Sequence, residues 1–159
     1  MNKAYLLIGG NEGDRFFHMQ QARANIEHIC GDIEQVSSVY LTAPWGKTDQ
    51  PDFLNQALLI NSNLGPEELL LANLSIEKKM GRIRTVKNAP RTMDIDILFY
   101  NREMISTADL SIPHPRIPER RFVLEPLNEI APGFIHPGSG KTVQELLREC
   151  TDPLPVKKI

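Results

Sequence analysis

Cysteine is almost missing from this chain: Cys30 and Cys150 are the only two in 159 residues. There is no CxxC pair and no Cys–His spacing, which removes the structural zinc folds and the disulfide scaffolds of small secreted domains. Two lone thiols are expected to be reduced. Long apolar runs are missing too, and nothing approaches the roughly 20 residues a membrane helix requires. The first ten residues carry one lysine and a short apolar stretch, then turn polar at Asn11-Glu12-Gly13-Asp14. They read as a strand rather than a leader, so the cytoplasm is the expected compartment. Neither charge sign dominates: 18 basic and 20 acidic residues leave a net charge of −2. That balance gives no general pull toward nucleic acid or anionic membrane.

The glycine motifs that usually cradle nucleotides are also lacking. Gly9-Gly10-Asn11-Glu12-Gly13 fails the GxGxxG spacing of a dinucleotide fold. Gly138-Ser139-Gly140-Lys141-Thr142 ends like a P-loop, but Ile135 stands where the first glycine belongs and His136-Pro137 replace the feeding strand. A turn in which Thr142 caps a helix carrying Val143, Leu146 and Leu147 is the simpler reading.

What is present suits one globular domain spanning residues 1–159, with 41% hydrophobic and 24% charged residues. Residues 4–8 read as a buried strand ending at Gly9-Gly10. Asp14 is placed to cap a helix running to about Cys30, with Met19, Ala22, Ile26 and Ile29 as its inner stripe. Residues 33–41 suggest a strand, followed by a loop and a further strand over 53–63. Pro66, Glu67 and Glu68 mark a helix start, and that helix is expected to run to about Met80. The strand after the 81–90 loop completes a β-α-β-β-α-β order. That order predicts an α+β, ferredoxin-like core: an antiparallel sheet with helices on one face. Beyond Tyr100 comes a C-terminal extension, with a hairpin near 103–112 and helices near 121–129 and 142–150.

The most informative stretch is Pro90-Arg91-Thr92-Met93-Asp94-Ile95-Asp96-Ile97-Leu98-Phe99. With a strand's two-residue period, Met93, Ile95, Ile97 and Phe99 share a core face, while Thr92, Asp94, Asp96 and Leu98 share the other. Two carboxylates on one face, with Cα atoms roughly 6–7 Å apart, repel unless a cation lies near them. Such hard oxygen ligands suit Mg²⁺ that also binds phosphate. Taken alone, they are equally compatible with an acidic, solvent-facing strand. Their neighbours favour the metal. Seven of the ten arginines (82, 84, 91, 102, 116, 120 and 121) lie between positions 82 and 121, with Lys87 and His114 among them. Guanidinium forks beside a metal-binding acid pair are what a polyphosphate needs.

Several blocks together resemble the 6-hydroxymethyl-7,8-dihydropterin pyrophosphokinase family. They are Ile8-Gly9-Gly10-Asn11, Tyr40-Leu41-Thr42-Ala43-Pro44-Trp45-Gly46, Gln50-Pro51-Asp52-Phe53-Leu54-Asn55 and Pro90-Arg91-Thr92-Met93-Asp94-Ile95-Asp96. Two more are Ile112-Pro113-His114-Pro115-Arg116 and the run from Arg120 to Leu127. The resemblance spans almost the whole chain. It implies transfer of the terminal diphosphate of ATP to the hydroxymethyl group of the pterin, with release of AMP, in folate synthesis. By the same resemblance, Asp94 and Asp96 would hold two Mg²⁺ ions, while Arg82 and Arg91 would act with them in catalysis. Arg84, Ile97, His114, Arg116 and Arg120 would contact ATP. Gly9, Thr42, Ala43, Trp45, Phe53, Asn55 and Phe122 would form the pterin slot, with Phe53 and Phe122 stacking and Asn55 bonding the pterin edge. Glu77 matches a recurrent acid. The 84–91 loop is shorter than in some members and lacks their covering tryptophan, and Trp45 replaces a smaller residue. The expected partners are therefore two small molecules, ATP and a dihydropterin, taken by a monomer with no nucleic acid and no membrane.

Three rival readings stand against this one. A regulatory module that has lost catalysis would be expected to lack an acid, yet both are present. An RNA-binding sheet would need exposed central aromatics and a basic face. Another ATP-dependent transferase using a similar clamp is opposed only by the slot residues.

Overall fold

The computed structural model describes residues 1–46, 49–81 and 91–159. A mixed α+β architecture is built on a six-stranded antiparallel sheet. The order along the chain is β1 (Asn2–Gly10), α1 (Arg15–Ile29), β2 (Asp32–Val36), β3 (Tyr40–Thr42), β4 (Phe53–Ser62), α2 (Pro66–Lys79) and β5 (Asp94–Tyr100). A small hairpin, β6 (Ile105–Ser106) and β7 (Ser111–Ile112), follows, then α3 (Arg121–Ile130), α4 (Val143–Glu149) and β8 (Val156–Lys158). The sheet runs β5–β1–β4–β3–β8, and β2 pairs with β4 beside β3. Among the described residues no helix is long and apolar enough to cross a membrane.

Local chemistry sets the element ends. The Asp14 side chain accepts from the Phe17 N–H at 3.1 Å and starts α1. Pro66 occupies the first turn of α2, where its missing N–H costs nothing, and the Glu68 carboxylate turns back to the Gly65 N–H. Thr142 and Glu145 form a reciprocal cap at the start of α4. Lys141 pairs with Glu149 at 2.6 Å, so the glycine-rich 138–142 stretch is a turn and a cap.

Two clusters pack on opposite faces of the sheet. Leu6, Ile8, Leu58, Ile60, Met93 and Ile95 join Met19, Ala22 and Ile26 of α1 and Leu69 and Ile76 of α2. On the other face Leu7, Ala57, Leu98 and Phe99 meet Val123, Leu124 and Leu127 of α3 and Val143 and Leu146 of α4. Each fully buried leucine or isoleucine contributes about 1.5–3 kcal/mol. A sheet covered on both faces explains why β4 is buried at nine of its ten positions and carries no clean alternation.

The two helices of the core, α1 and α2, share one face as expected, and α3 and α4 of the extension cover the other. Three expectations are corrected. Phe99 does not share a face with Met93, Ile95 and Ile97. The ladder between β1 and β5 steps from Leu6 opposite Ile97 to Tyr5 opposite Phe99, leaving Leu98 as a bulge. One extra residue reverses the alternation, so Phe99 enters the α3 cluster and Tyr100 the α1 cluster. The single strand expected over 33–41 is two short ones, β2 and β3. Between them Ser37 turns inward: the Ala57 N–H donates to its Oγ and the Gln56 side-chain amide to its carbonyl. In α1 the fourth inner position is Cys30, not Ile29, which is 39% exposed. A 3.6-residue period carries the stripe from 26 to 30. Both cysteines are free thiols.

Candidate active site

Register assembles the site. Asp94 lies opposite Gly9, Gly9 opposite Asn55, and Asn55 opposite Tyr40, one row across four strands. The neighbouring row places Asp96 opposite Leu7, and Leu7 opposite Ala57. Phe53, opposite Thr42, lies one step the other way. Because side chains alternate, Asp94, Asp96, Phe53, Asn55 and Thr42 all project from the face that α3 covers. The two-acid face read from the sequence is therefore correct up to Leu98.

Gly9 is small by necessity. A Cβ there would stand 2.0 Å from Asn55 Oδ1. The Asn55 amide donates to Thr42 Oγ1 at 2.7 Å within a buried setting, which fixes the orientation of both groups. Ala43, next along, donates its N–H to the Pro155 carbonyl at 3.1 Å and so has no N–H to offer a ligand.

Arginines stack on the aromatic residues of this face. Arg91 lies 4.9 Å from the Phe53 ring and 3.5 Å from Asp94. Arg120, just before α3, lies 4.5 Å from the Trp45 ring and 5.5 Å from Phe122, and Arg116 is 5.5 Å from Trp45. The Arg120 Nε is buried without a hydrogen-bond partner. Burial pushes the Arg120 pKa down, and the negative charge of Asp96 works against that push. A buried guanidinium donor without a partner has capacity for one more acceptor, a ligand oxygen or a water.

His114 hangs between β5 and α3. Its backbone N–H donates to Leu98 O at 3.1 Å, and its Nδ1 accepts the Arg116 N–H at 3.2 Å. Burial, followed by the charge of Arg120, lowers its pKa to about 4. The ring is neutral at pH 7, and with Nδ1 accepting, the proton sits on Nε2 as a donor.

The seven-arginine group separates in space. Arg91, Arg116 and Arg120 gather against Phe53, Trp45 and Asp94. Arg102 is exposed in the turn after Tyr100, at the far end of β5. Arg121 donates to the Asp152 and Cys150 carbonyls at 3.1 and 2.9 Å and faces Glu125, so it anchors the C-terminal segment. Arg82, Arg84, Lys87 and the rest of the loop up to Pro90 lie outside the described residues.

Ile97 points to the α2 side yet lines a cleft of about 680 Å³ at the β5 edge. Asp96, His114, Leu70, Leu74 and Leu110 share that cleft, which lies in the size range of small-molecule sites. Sequence alone does not assign the α2 leucines to a site, because an apolar residue on a helix shows no sign of what it faces.

Two bracing residues were also underread. Glu77 is buried, and it accepts the Ile95 N–H, the amide between the two acids, at 2.8 Å. Asn11 accepts the Arg91 N–H at 2.9 Å and donates to Gln50 Oε1 and the Pro51 carbonyl, each at 2.8 Å. After a strand an asparagine reads as a turn residue, and spacing gives no hint that it ties three segments.

Among the described residues no three His, Cys, Asp or Glu side chains converge as a metal site. Two carboxylates on one strand face fit a hard divalent cation that draws its remaining ligands from phosphate and water.

A sequence profile described as 7,8-dihydro-6-hydroxymethylpterin-pyrophosphokinase (HPPK) matches residues 5–132. The 2-amino-4-hydroxy-6-hydroxymethyldihydropteridine pyrophosphokinase of Bacillus subtilis is 48% identical over 130 residues, 81% of this chain and 78% of that protein. The protein of the same name from Methylorubrum extorquens is 40% identical over 163 residues, covering 100% of this chain and 99% of its own length. Among solved structures, a Plasmodium falciparum HPPK-DHPS triple mutant superposes with a TM-score of 0.77 at 19% identity. That match covers 93% of this chain and 43% of the other.

Proposed function

The chain belongs to the 7,8-dihydro-6-hydroxymethylpterin-pyrophosphokinase family, and from that membership we propose how one face of its sheet performs the reaction. The enzyme transfers the terminal diphosphate of ATP to the hydroxymethyl group of 6-hydroxymethyl-7,8-dihydropterin and releases AMP, a step of folate biosynthesis. The observation that carries the site assignment is the row Asp94–Gly9–Asn55, which sets an acid pair beside a buried polar slot.

The pterin enters between Phe53 and Phe122. Asn55, oriented by Thr42, bonds its edge, Gly9 leaves room for close approach, and Ala43 and Trp45 border the slot. The triphosphate lies along Asp94 and Asp96, with the nucleoside in the cleft lined by Ile97, Leu70 and Leu110. Asp94 and Asp96 are the residues that would hold Mg²⁺, which when bound neutralises phosphate charge and aligns the β-phosphorus with the incoming oxygen. Arg91, Arg116 and Arg120 supply fixed positive charge to the phosphates, and neutral His114 donates from Nε2. Arg82 and Arg84 are assigned to the same role on family position alone. The pterin hydroxyl oxygen attacks the β-phosphorus and releases its proton to solvent, while the bond from the β-phosphorus to the α,β-bridging oxygen breaks and AMP departs with that oxygen. Transfer of this kind depends mainly on positioning and charge, so a strong protein base is not required. We also read the β1–α1–β2/β3–β4–α2–β5 order as a ferredoxin-like core within one domain, acting as a monomer in the cytoplasm.

Assay of AMP release with ATP, Mg²⁺ and the dihydropterin, beside Asp96→Asn, tests this reading. The variant is expected to lose about a hundredfold or more in turnover while keeping its melting temperature. Retained turnover would remove Asp96 from the metal role, and ADP as product would mean attack at the γ-phosphorus.

A further inference from the structure

The geometry points to Trp45 as a positioning residue, its indole face holding the guanidinium groups of Arg116 and Arg120 where the triphosphate must bind. The two guanidinium carbons stand 5.5 and 4.5 Å from the ring centroid. Both lie inside the roughly 6 Å over which a ring quadrupole attracts a cation. Two like charges on one ring repel, so something must keep them together before an anion arrives. The ring does this, helped by the carboxylate of Glu119, 3.6 Å from Arg116.

Arg120 shows the need most clearly. Its Nε is buried with no hydrogen-bond partner, while its guanidinium stacks on Trp45 and on Phe122. Free arginines lose rotamer freedom when they grip phosphate. Stacking them in advance removes part of that loss from the binding step. Trp45 sits on the segment that follows β3, so a residue bordering the pterin slot also sets the cations of the triphosphate side. A smaller apolar residue could line the slot but could not offer two cations a π face.

The inference rests on the assignment of Arg116 and Arg120 to the triphosphate. Dissociation constants for Mg²⁺-ATP, measured by calorimetry without pterin, test it in Trp45→Leu, Trp45→Phe, Arg120→Met and the Trp45→Leu/Arg120→Met double variant. Trp45→Leu is expected to weaken ATP binding about five- to tenfold, and Trp45→Phe to recover most of that. In the Arg120→Met background Trp45→Leu adds about twofold or less, the signature of a coupled pair. The KM for pterin rises less than the KM for ATP. Trp45 is the only tryptophan, so emission of the unsubstituted protein also shifts as phosphate charge settles against the guanidiniums stacked on it. If Arg120→Met leaves ATP binding unchanged, the phosphate assignment itself fails. If Arg120→Met weakens binding while Trp45→Leu does not, or the two losses simply multiply, only the role of Trp45 is overturned. An emission spectrum unmoved at saturating ATP overturns it as well, even if Trp45→Leu does not fold.

Discussion

At Gly9 the missing side chain is what lets β1 pass between an acid and an amide. Adding a methyl group would place it 2.0 Å from Asn55 Oδ1 and 2.9 Å from the Leu54 carbonyl. The side chain can swing away more cheaply than the sheet can open, so Gly9→Ala is expected to displace Asn55 from Thr42. The KM for pterin should rise roughly tenfold to a hundredfold, as misplacement of a substrate by about 1 Å does. Affinity for ATP, measured alone, should stay within about twofold. A variant with an unaltered pterin KM would show that Asn55 does not touch the substrate. Single residues of this kind were legible when their chemistry was intrinsic. Phe53 and Asn55 stand out only through the family resemblance, whereas two aspartates two apart declare themselves. Asn11 and Glu77 did not, because each acts on backbone groups far away in the sequence.

Elements were legible where local signals set them and illegible where a partner did. Capping residues marked α1, α2 and α4. The Leu98 bulge and the break between β2 and β3 are imposed by the facing strands, and no pattern in the sequence carried them. Glu77 shows how one element holds another. Its carboxylate on α2 accepts the Ile95 N–H of β5 and thereby sets the strand segment between the acids. Glu77→Gln keeps a carbonyl acceptor and should remain within about 1 kcal/mol of the parent in urea unfolding. Glu77→Ala leaves a buried N–H unpaired, which costs about 1–3 kcal/mol, and should raise the Mg²⁺ concentration needed for half-maximal rate. Equal behaviour of the two variants would rule out the amide contact as the reason.

A second tie, between α3 and β3, responds to acid. Glu129 accepts from Tyr40 Oη at 2.6 Å and from the Ser38 N–H at 2.9 Å. Burial pushes its carboxyl pKa up, but the hydrogen bonds from Tyr40 and Ser38 outweigh that and hold it below the ordinary 4.5. A carboxylate depressed in the folded state stabilises above its unfolded pKa, and that contribution is lost as pH falls through the native value. The urea midpoint of the parent should therefore drop more steeply below pH 4.5 than that of Glu129→Gln, with parallel curves between pH 6 and 8. Parallel curves throughout would mean that the pair contributes nothing to acid stability.

Over the whole molecule, the C-terminal third completes the proposed site rather than decorating it. From the sequence it looked like an extension attached to a finished sheet. In the structure α3 supplies Phe122, the turn before it supplies Arg120, and β8 closes the edge of the strand that carries Thr42. The last six residues make the point testable. They pair β8 with β3, give Ala43 its acceptor at Pro155, and return the Ile159 N–H to the Val39 carbonyl at 3.0 Å. Three short, mostly exposed residues gave no strand signal, because their stability comes from the edge they cover. Deleting residues 154–159 removes a handful of hydrogen bonds worth about 0.5–1.5 kcal/mol each, partly replaced by water. A net loss of about 2 kcal/mol is therefore expected, with the fold retained because α3 and α4 still cover Leu7, Ala57 and Phe99. The pterin KM should rise severalfold as β3 loosens beside Asn55, while ATP affinity, which the proposed site assigns to β5 and the arginines, holds. Loss of ATP binding in the truncated chain would show instead that the two halves of the site share one support.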